Sequence, residues 1–336
     1  MRVLLLANQP ERTTRLKMFE GTLTSLGYEV IVPSFGTRNW IKIASLARKI
    51  TKETRPDIVH IFNVPDMIYH GFGNLWGDGY KKLIYDYRSP WGIEAQDTFG
   101  VPGKVFGEYF EKELARNADV ITTVNTPLAK KVKEYAPEKV VHIIPNYPAR
   151  SFSKIETESA GSENLAETDS KPIISKPIIF IGRVCTQEGI GKLLETAKAM
   201  PDQEIWIVGS GPFAWWYLWR KPENVKYLGW QPHNKIPGLV KKAKLCLIPR
   251  EKNELTPYST DKSIWKLNEY LNLGNIVIAS GISCEEPRKN LVITESNRFK
   301  DAIIEHLNDK PQKLLENDYK YWDMNTKAIR EIYESL

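Results

Sequence analysis

Residues 254–281 read ELTPYSTDKSIWKLNEYLNLGNIVIASG. The stretch divides into a loop, a helix opening near Asp261, a Leu-Gly stop at Gly274 and a strand over residues 276–279. That strand is apolar at every position, not at every second one. A continuous apolar run entered from a helix through a glycine belongs to a parallel sheet covered on both faces. On the helix, Lys262, Lys266 and Glu269 stand at i, i+4 and i+7 and so share a face, while Ile264, Leu267 and Leu271 can turn to a core. Two cations near a helix start, with a carboxylate one turn on, make a cradle for an anionic ligand that also carries hydroxyls. In most proteins the same spacing is only a solvated surface pair, so the pattern needs support from its surroundings.

The alternation extends outward in both directions. Upstream, short apolar runs at residues 3–7, 29–32, 57–62, 82–87, 120–124 and 140–144 are separated by helical patterns. After residue 176 it restarts with runs at 177–182, 204–208, 225–228, 245–249, 276–279 and 291–294. The fold class expected is α/β, with two doubly wound domains and ligands outside the C-terminal ends of the strands. A chain of 336 residues suits two such domains. The expected division is residues 1–150, a Ser/Glu/Thr-rich linker at 151–176, a second domain at 177–310, and amphipathic helices at 311–336 that pack across the domain boundary.

Composition narrows the classes. With 42% hydrophobic and 26% charged residues the chain is an ordinary globular one. The net charge of +6 is modest and gives no nucleic-acid signature. No apolar run approaches the ~18 residues that span a bilayer, and no signal-peptide core is present. Cys185, Cys246 and Cys284 are odd in number and unpaired in spacing, which points to reduced thiols and a cytoplasmic protein. Residues 38–55 form a basic amphipathic helix, a candidate contact with a membrane surface. The run from Phe213 to Arg220 is unusually aromatic. No Asp-x-Asp and no cluster with metal-ligand spacing occurs, so no metal is expected.

Four strand exits in the second half leave polar groups where a shared crevice would lie: Gly182-Arg183, Gly209-Ser210-Gly211, Gly229-Trp230 and the segment from Arg250 to Glu269. Arg183 is a permanent cation with a fork that suits phosphate oxygens. The glycines allow close approach of backbone. In the first half, Asn8, Arg12, Asp86, Arg88 and Asn146 lie at the corresponding exits. His60 alternates within a strand and reads as a packed core residue.

These exits, in this order, resemble the group 1 family of retaining glycosyltransferases, which have the two-Rossmann GT-B fold. The matching segments are IFIGRV (179–184), IVGSGP (207–212), NVKYLGW (224–230), KLCLIPR (244–250) and KLNEYLNLGNIVIAS (266–280), the last similar to a Lys-x-x-Glu-Tyr variant. PDIVHIFN (56–63), LIYDYRSPW (83–91) and HIIPNYP (142–148) resemble the first-domain strand ends. The resemblance implies two domains facing a cleft, a C-terminal helix crossing back, and transfer of a sugar from a nucleoside diphosphate sugar to a glycan or lipid-linked hydroxyl. It implies no cofactor. Glu269 would hold the ribose, Arg183 and Lys266 the diphosphate, with Lys262, Ser263, Gly209, Gly211 and Trp230 also on the donor. Asp261 and Asp86 would be catalytic carboxylates, and Arg88, Asn8, Arg12 and Asn146 would face the acceptor. Two departures stand out. Where relatives carry a lysine next to a glycine, this chain has Gln187-Glu188-Gly189, and the carboxylate pair reads Asp-x7-Glu from Asp261 to Glu269. They motivate one rival reading, a catalytically weak sugar-nucleotide-binding scaffold; a sugar-nucleotide epimerase is a second, because such enzymes share the fold.

Overall fold

A computed structural model describes residues 1–73, 79–154 and 176–336. Most of the Ser/Glu/Thr-rich segment therefore lies outside the described residues. The chain forms two compact units, Met1–Asn146 with Trp322–Leu336, and Tyr147–Tyr321.

The first unit is a six-stranded parallel sheet of β1 (Arg2–Leu6), β2 (Glu29–Ile31), β3 (Ile58–Phe62), β4 (Lys82–Tyr87), β5 (Val120–Thr123) and β6 (Val141–Ile143), in the order β2-β1-β3-β4-β5-β6. Its helices are α1 (Thr14–Ser25), α2 (Trp40–Thr54), α3 (Trp91–Asn117) and α4 (Thr126–Tyr135). The central strands β1 and β3 are buried at nearly every position, which is why they read as unbroken apolar runs. Asn39 caps α2, accepting from the Ile41 and Lys42 amides at 3.0 and 3.1 Å. That helix buries Ile43, Ala47 and Thr51 and turns Ile41, Lys42 and Lys49 to water. Among the described residues no helix is long and apolar enough to cross a membrane.

The chain's last turns belong to this unit. Trp322 Nε1 donates to Thr22 Oγ1 at 2.8 Å, and Tyr333, on the terminal helix α11 (Thr326–Glu334), meets His60 Nδ1 at 2.6 Å. His60 stacks on Phe62 and is fully buried, and burial pushes its pKa down to about 3, so it stays neutral.

Glu111 on α3 is one of the buried acids of this unit. It accepts from the Gly92 amide at 2.6 Å and the Tyr87 hydroxyl at 3.2 Å. Burial raises its pKa to about 7. The folded state thus holds this proton more tightly than the unfolded chain, and stability falls as pH rises from the ordinary Glu value through 7. The expected loss is about 3 kcal/mol across that window. Glu111→Gln keeps the acceptor for Gly92 and should flatten the fall, as read from thermal melts between pH 5 and 8.

The second unit repeats the architecture with β7 (Ile178–Ile181), β8 (Ile205–Val208), β9 (Val225–Gly229), β10 (Leu245–Pro249), β11 (Ile276–Ser280) and β12 (Leu291–Ile293), in the order β12-β11-β10-β7-β8-β9. Alternate residues of each strand feed two cores. One face sends Ile178, Phe180, Ile205, Ile207, Leu245, Leu247 and Ile278 against α6 (Ile190–Ala199) and α10 (Phe299–His306). The other sends Ile179, Val208, Cys246, Ile248, Val277 and Ala279 against α8 (Ile236–Lys242), α9 (Trp265–Asn272) and Phe152 of α5 (Arg150–Lys154). Burial on both faces is the physical source of the continuous apolar pattern. Of the three thiols Cys246 is buried, Cys185 is half-buried and Cys284 is exposed; all are free.

The decisive helix is shorter than its sequence suggests. It starts at Trp265, not near Asp261, because residues 260–263 close a turn of their own. In that turn the Thr260 amide donates to Ser263 Oγ at 2.9 Å and Ser263 Oγ donates back to Thr260 O at 2.9 Å. Lys262 therefore does not share a helical face with Lys266.

Candidate active site

In the second sheet the chain leaves β7 towards β8 on one side and returns through β10 on the other. The point between β7 and β10 is the topological switch, where a crevice opens outside the strand ends. The exits of β7 and β8 are zipped together: the Gly182 amide donates to Val208 O at 2.9 Å and the Val184 amide to Ser210 O at 3.1 Å. This closeness explains the glycines. A Cβ at Gly209 (φ +134°) would overlap the Gly182 carbonyl, and one at Gly211 the Val184 carbonyl. Their smallness serves loop-on-loop packing first, which sequence reasoning had assigned to ligand approach.

A cavity of about 380 Å³ opens there, lined by Gly182, Arg183, Gly209, Ser210, Trp230, Gln231 and His233 over a floor of Ile181, Val208 and Ile236. A depression of about 480 Å³ lined by Lys52, Arg55, Pro56, Gly79, Tyr80 and Lys81 is larger but lies at the wrong end, beside the N-terminal starts of β3 and β4. Arg183 is exposed and has no ion pair or side-chain hydrogen bond among the described residues. Trp230 presents its indole to water at 68% exposure. By contrast, the aromatic run Phe213–Trp219, which includes α7 (Ala214–Leu218), carries Phe213, Trp215, Trp216 and Trp219 outward, while Ala214 and Leu218 are buried in the core and Tyr217 packs against it.

Glu269, on α9, joins the cavity's lining through His233. It is only 14% exposed, and its Oε1 meets Nε2 of His233, a cavity-lining residue, at 2.8 Å. The Glu269 carboxylate raises the His233 pKa. Tyr270, the next residue, fixes α9 to β7: its buried hydroxyl accepts from the Ile181 amide at 2.9 Å.

Lys266 turns to a different partner. Its ammonium pairs with Glu188 Oε2 and lies 4.7 Å from the Phe180 ring, beneath Gly182. Glu188 Oε1 in turn accepts from Arg250 at 2.6 Å. Burial by itself would raise the Glu188 carboxyl, but Lys266 and Arg250 outweigh it and hold the pKa at about 2. The cation sought in the loop after β7 is thus replaced by an anion that bridges two cations across the switch point. Arg250 was not singled out in the sequence; its place directly after β10 was the available signal.

An expected catalytic carboxylate, Asp261, and two expected donor-side groups, Lys262 and Ser263, are engaged elsewhere. Asp261 is 1% exposed, accepts from the Glu285 amide at 2.7 Å and faces Arg288 at 3.7 Å, so it is not open to a ligand. Lys262 pairs with Glu286 at 3.0 Å and Glu285 at 3.6 Å. Ser263 is consumed by its own turn.

In the first unit Asp86 is not a catalytic carboxylate in this arrangement. It is fully buried and holds Arg15 in a fork, with Nε–Oδ2 at 2.7 Å and Nη2–Oδ1 at 2.8 Å. Burial opposes ionisation of Asp86, and Arg15 reverses that and keeps its pKa low. Arg15 also donates to Ile144 O at 2.6 Å and Asn146 Oδ1 at 3.0 Å. Asp86 and Asn146 therefore meet, but around Arg15, a residue masked in the sequence by its position inside an amphipathic helix. Arg88 is half-buried and donates to the Asn63 carbonyl. Arg12 is exposed in the turn before α1. Asn8, at the exit of β1, has a buried Oδ1 without a hydrogen-bond partner. Among the described residues, no group of three or more His, Cys, Asp or Glu side chains could hold a metal ion.

Residues 2–147 match the family model described as Glycosyltransferase Family 4. A search of the curated proteins returns no match. Among solved structures the chain is similar to sucrose-phosphate synthase from Thermosynechococcus elongatus, with 14% identity, a TM-score of 0.71, and coverage of 99% of this chain and 98% of that one. It is similar also to Anabaena HepE in complex with UDP and glucose, with 14% identity, a TM-score of 0.62, and coverage of 100% and 99%. A Listeria monocytogenes protein described as a UDP-N-acetylglucosamine 2-epimerase aligns at 9% identity and a TM-score of 0.56, over 100% and 97% of the two chains. Residues 2–147 thus resemble a glycosyltransferase domain, and the chain as a whole shares the two-Rossmann GT-B fold of these solved structures.

Proposed function

We propose that the chain is a retaining glycosyltransferase of the Lys-x-x-Glu-Tyr type. It would move a sugar from a nucleoside diphosphate sugar to a hydroxyl of a glycan or lipid-linked acceptor, without a metal. The observation that carries this reading is the cavity at the exits of β7, β8 and β9, where unpaired Arg183 stands at one wall and His233, at another, is held by Glu269. A carboxylate that accepts two hydroxyl protons suits a ribose, which would take the place of His233 on Glu269. Trp230 offers a face for stacking. Arg183 stabilises the charge that builds on the departing diphosphate. The bond from the anomeric carbon to the diphosphate breaks while the bond to the acceptor oxygen forms on the same face. The acceptor proton passes to the leaving diphosphate. Asn8, with its unpartnered oxygen, Arg12 and Arg88 are the acceptor-side candidates, and residues 38–55 are the segment to approach a membrane if the acceptor is lipid-linked.

Titration calorimetry with a panel of UDP-, GDP- and ADP-sugars is expected to find one that binds, with UDP first because HepE was crystallised with it. Product analysis by NMR should show the donor's anomeric configuration kept. Failure of the whole panel to bind would overturn the reading. The epimerase reading, favoured by the Listeria structure, predicts an altered nucleotide sugar with no acceptor present. Binding without turnover would mark a scaffold.

A further inference from the structure

We infer that Glu188 is a resident anion that the donor's phosphates must displace, and that it sets how strongly this site holds a nucleoside diphosphate. The inference rests on the proposed function above and deepens it. Three cations gather at the β7/β10 switch: Arg183, Lys266 and Arg250. Only Arg183 lacks a partner among the described residues; the other two share Glu188, whose oxygens each take one of them. Lys266 is placed to matter, since its ammonium sits 2.9 Å from where a Cβ of Gly182 would be, and Gly182 lines the cavity. It reaches that position over the Phe180 ring, in a largely buried slot where a cation needs an anion. Glu188 supplies that anion while the site is empty.

Displacement requires the carboxylate to leave both cations. It sits in a three-residue turn, Thr186–Glu188, that is followed by Gly189 in the left-handed region at φ +78°. The turn ends in the loop after β7, the same loop that carries Arg183. A diphosphate drawn to Arg183 would meet Lys266 next, and it can take over that cation only as Glu188 swings out. The arriving phosphate and Glu188 are like charges competing for one partner, so the cost of displacement grows with phosphate number and vanishes for a nucleoside.

The test measures dissociation constants of uridine, UMP, UDP and inorganic pyrophosphate for the wild-type protein and for Glu188→Gln and Glu188→Asp. For Glu188→Gln, UDP and pyrophosphate should bind roughly tenfold tighter, the size set by removing one carboxylate a few ångströms from a phosphate at a partly buried site. UMP should gain less and uridine nothing. Glu188→Asp keeps the charge but cannot reach both cations, and should give an intermediate gain. It serves as the deciding variant if Glu188→Gln, checked by circular dichroism and thermal melting, does not fold. Weaker or unchanged UDP and pyrophosphate binding in the folded variants would overturn the inference, as would an equal gain for uridine, which would mark a merely structural effect. If no nucleotide binds any form but pyrophosphate shows the gain, the resident anion stands and the donor reading falls.

Discussion

Replacing Arg15 by methionine is expected to destabilise the first unit by about 3–5 kcal/mol, the cost of leaving a buried charge without its partner. Both residues are sealed from water, at 1% and 0% side-chain exposure. Arg15 Nε and Nη2 occupy the two oxygens of Asp86, and Nη1 satisfies Ile144 O and Asn146. Thr122 Oγ1 adds a bond to Asp86 at 2.7 Å. One side chain from α1 thereby ties together the C-terminal ends of β4 and β6. Removing it strands Asp86 under the sheet edge. Urea unfolding should show a lower midpoint, and Asp86→Leu in the same chain should restore much of the loss, since a matched pair of apolar groups leaves no orphaned charge. The pair also fixes an acid dependence. Asp86 has a depressed pKa in the folded state, so its stabilisation is present above the ordinary Asp value and is lost as pH falls through the depressed one. A variant as stable as the parent would mean that water reaches Asp86.

Arg183→Ala should lower the turnover number about 10²–10³-fold, the range found when a preorganised donor to a developing negative charge is deleted. The thermal midpoint should stay where it is, because the exposed guanidinium makes no ion pair or side-chain hydrogen bond among the described residues. Donor KM should change less than kcat, since charge on the bridging oxygen grows only as the sugar departs. Arg183→Lys should recover part of the rate, because the charge survives and the planar fork does not. Steady-state kinetics on the donor chosen by calorimetry measures this. Undiminished turnover in Arg183→Ala would remove Arg183 from the chemistry and direct attention to Lys266 and Arg250.

The position of Arg183 was legible because it follows punctuation that local physics imposes. A strand that ends in glycine must leave the sheet, and in a parallel sheet it leaves towards the ligand end. The partners of the charges were not legible. Lys266 and Glu269 stand three residues apart on one helix, and the spacing suggested a joint task. In the folded chain one turns to Glu188, on the loop after β7, and the other to His233, beyond β9. Asp261 and Lys262 looked like members of that helix because nothing in their spacing reveals the hydrogen-bonded turn from Thr260 to Ser263 that delays it to Trp265. Asp86 read as a reactive carboxylate at a strand exit; only its distance of 71 residues in sequence from Arg15, closed by the fold, made it a structural ion.

The sequence by itself determined two doubly wound α/β units, through apolar runs that are continuous because both faces of each sheet are buried. It determined also which loops stand at the strand exits, since glycine and the preceding β-branched run fix where a strand ends. Tertiary structure alone decided which charges at those exits are free. A carboxylate and a cation find each other through space, at a few ångströms, and burial decides whether either can be spared for a ligand. On that basis Arg183 is open, Lys266 and Arg250 are held by Glu188, and Asp86 belongs to Arg15.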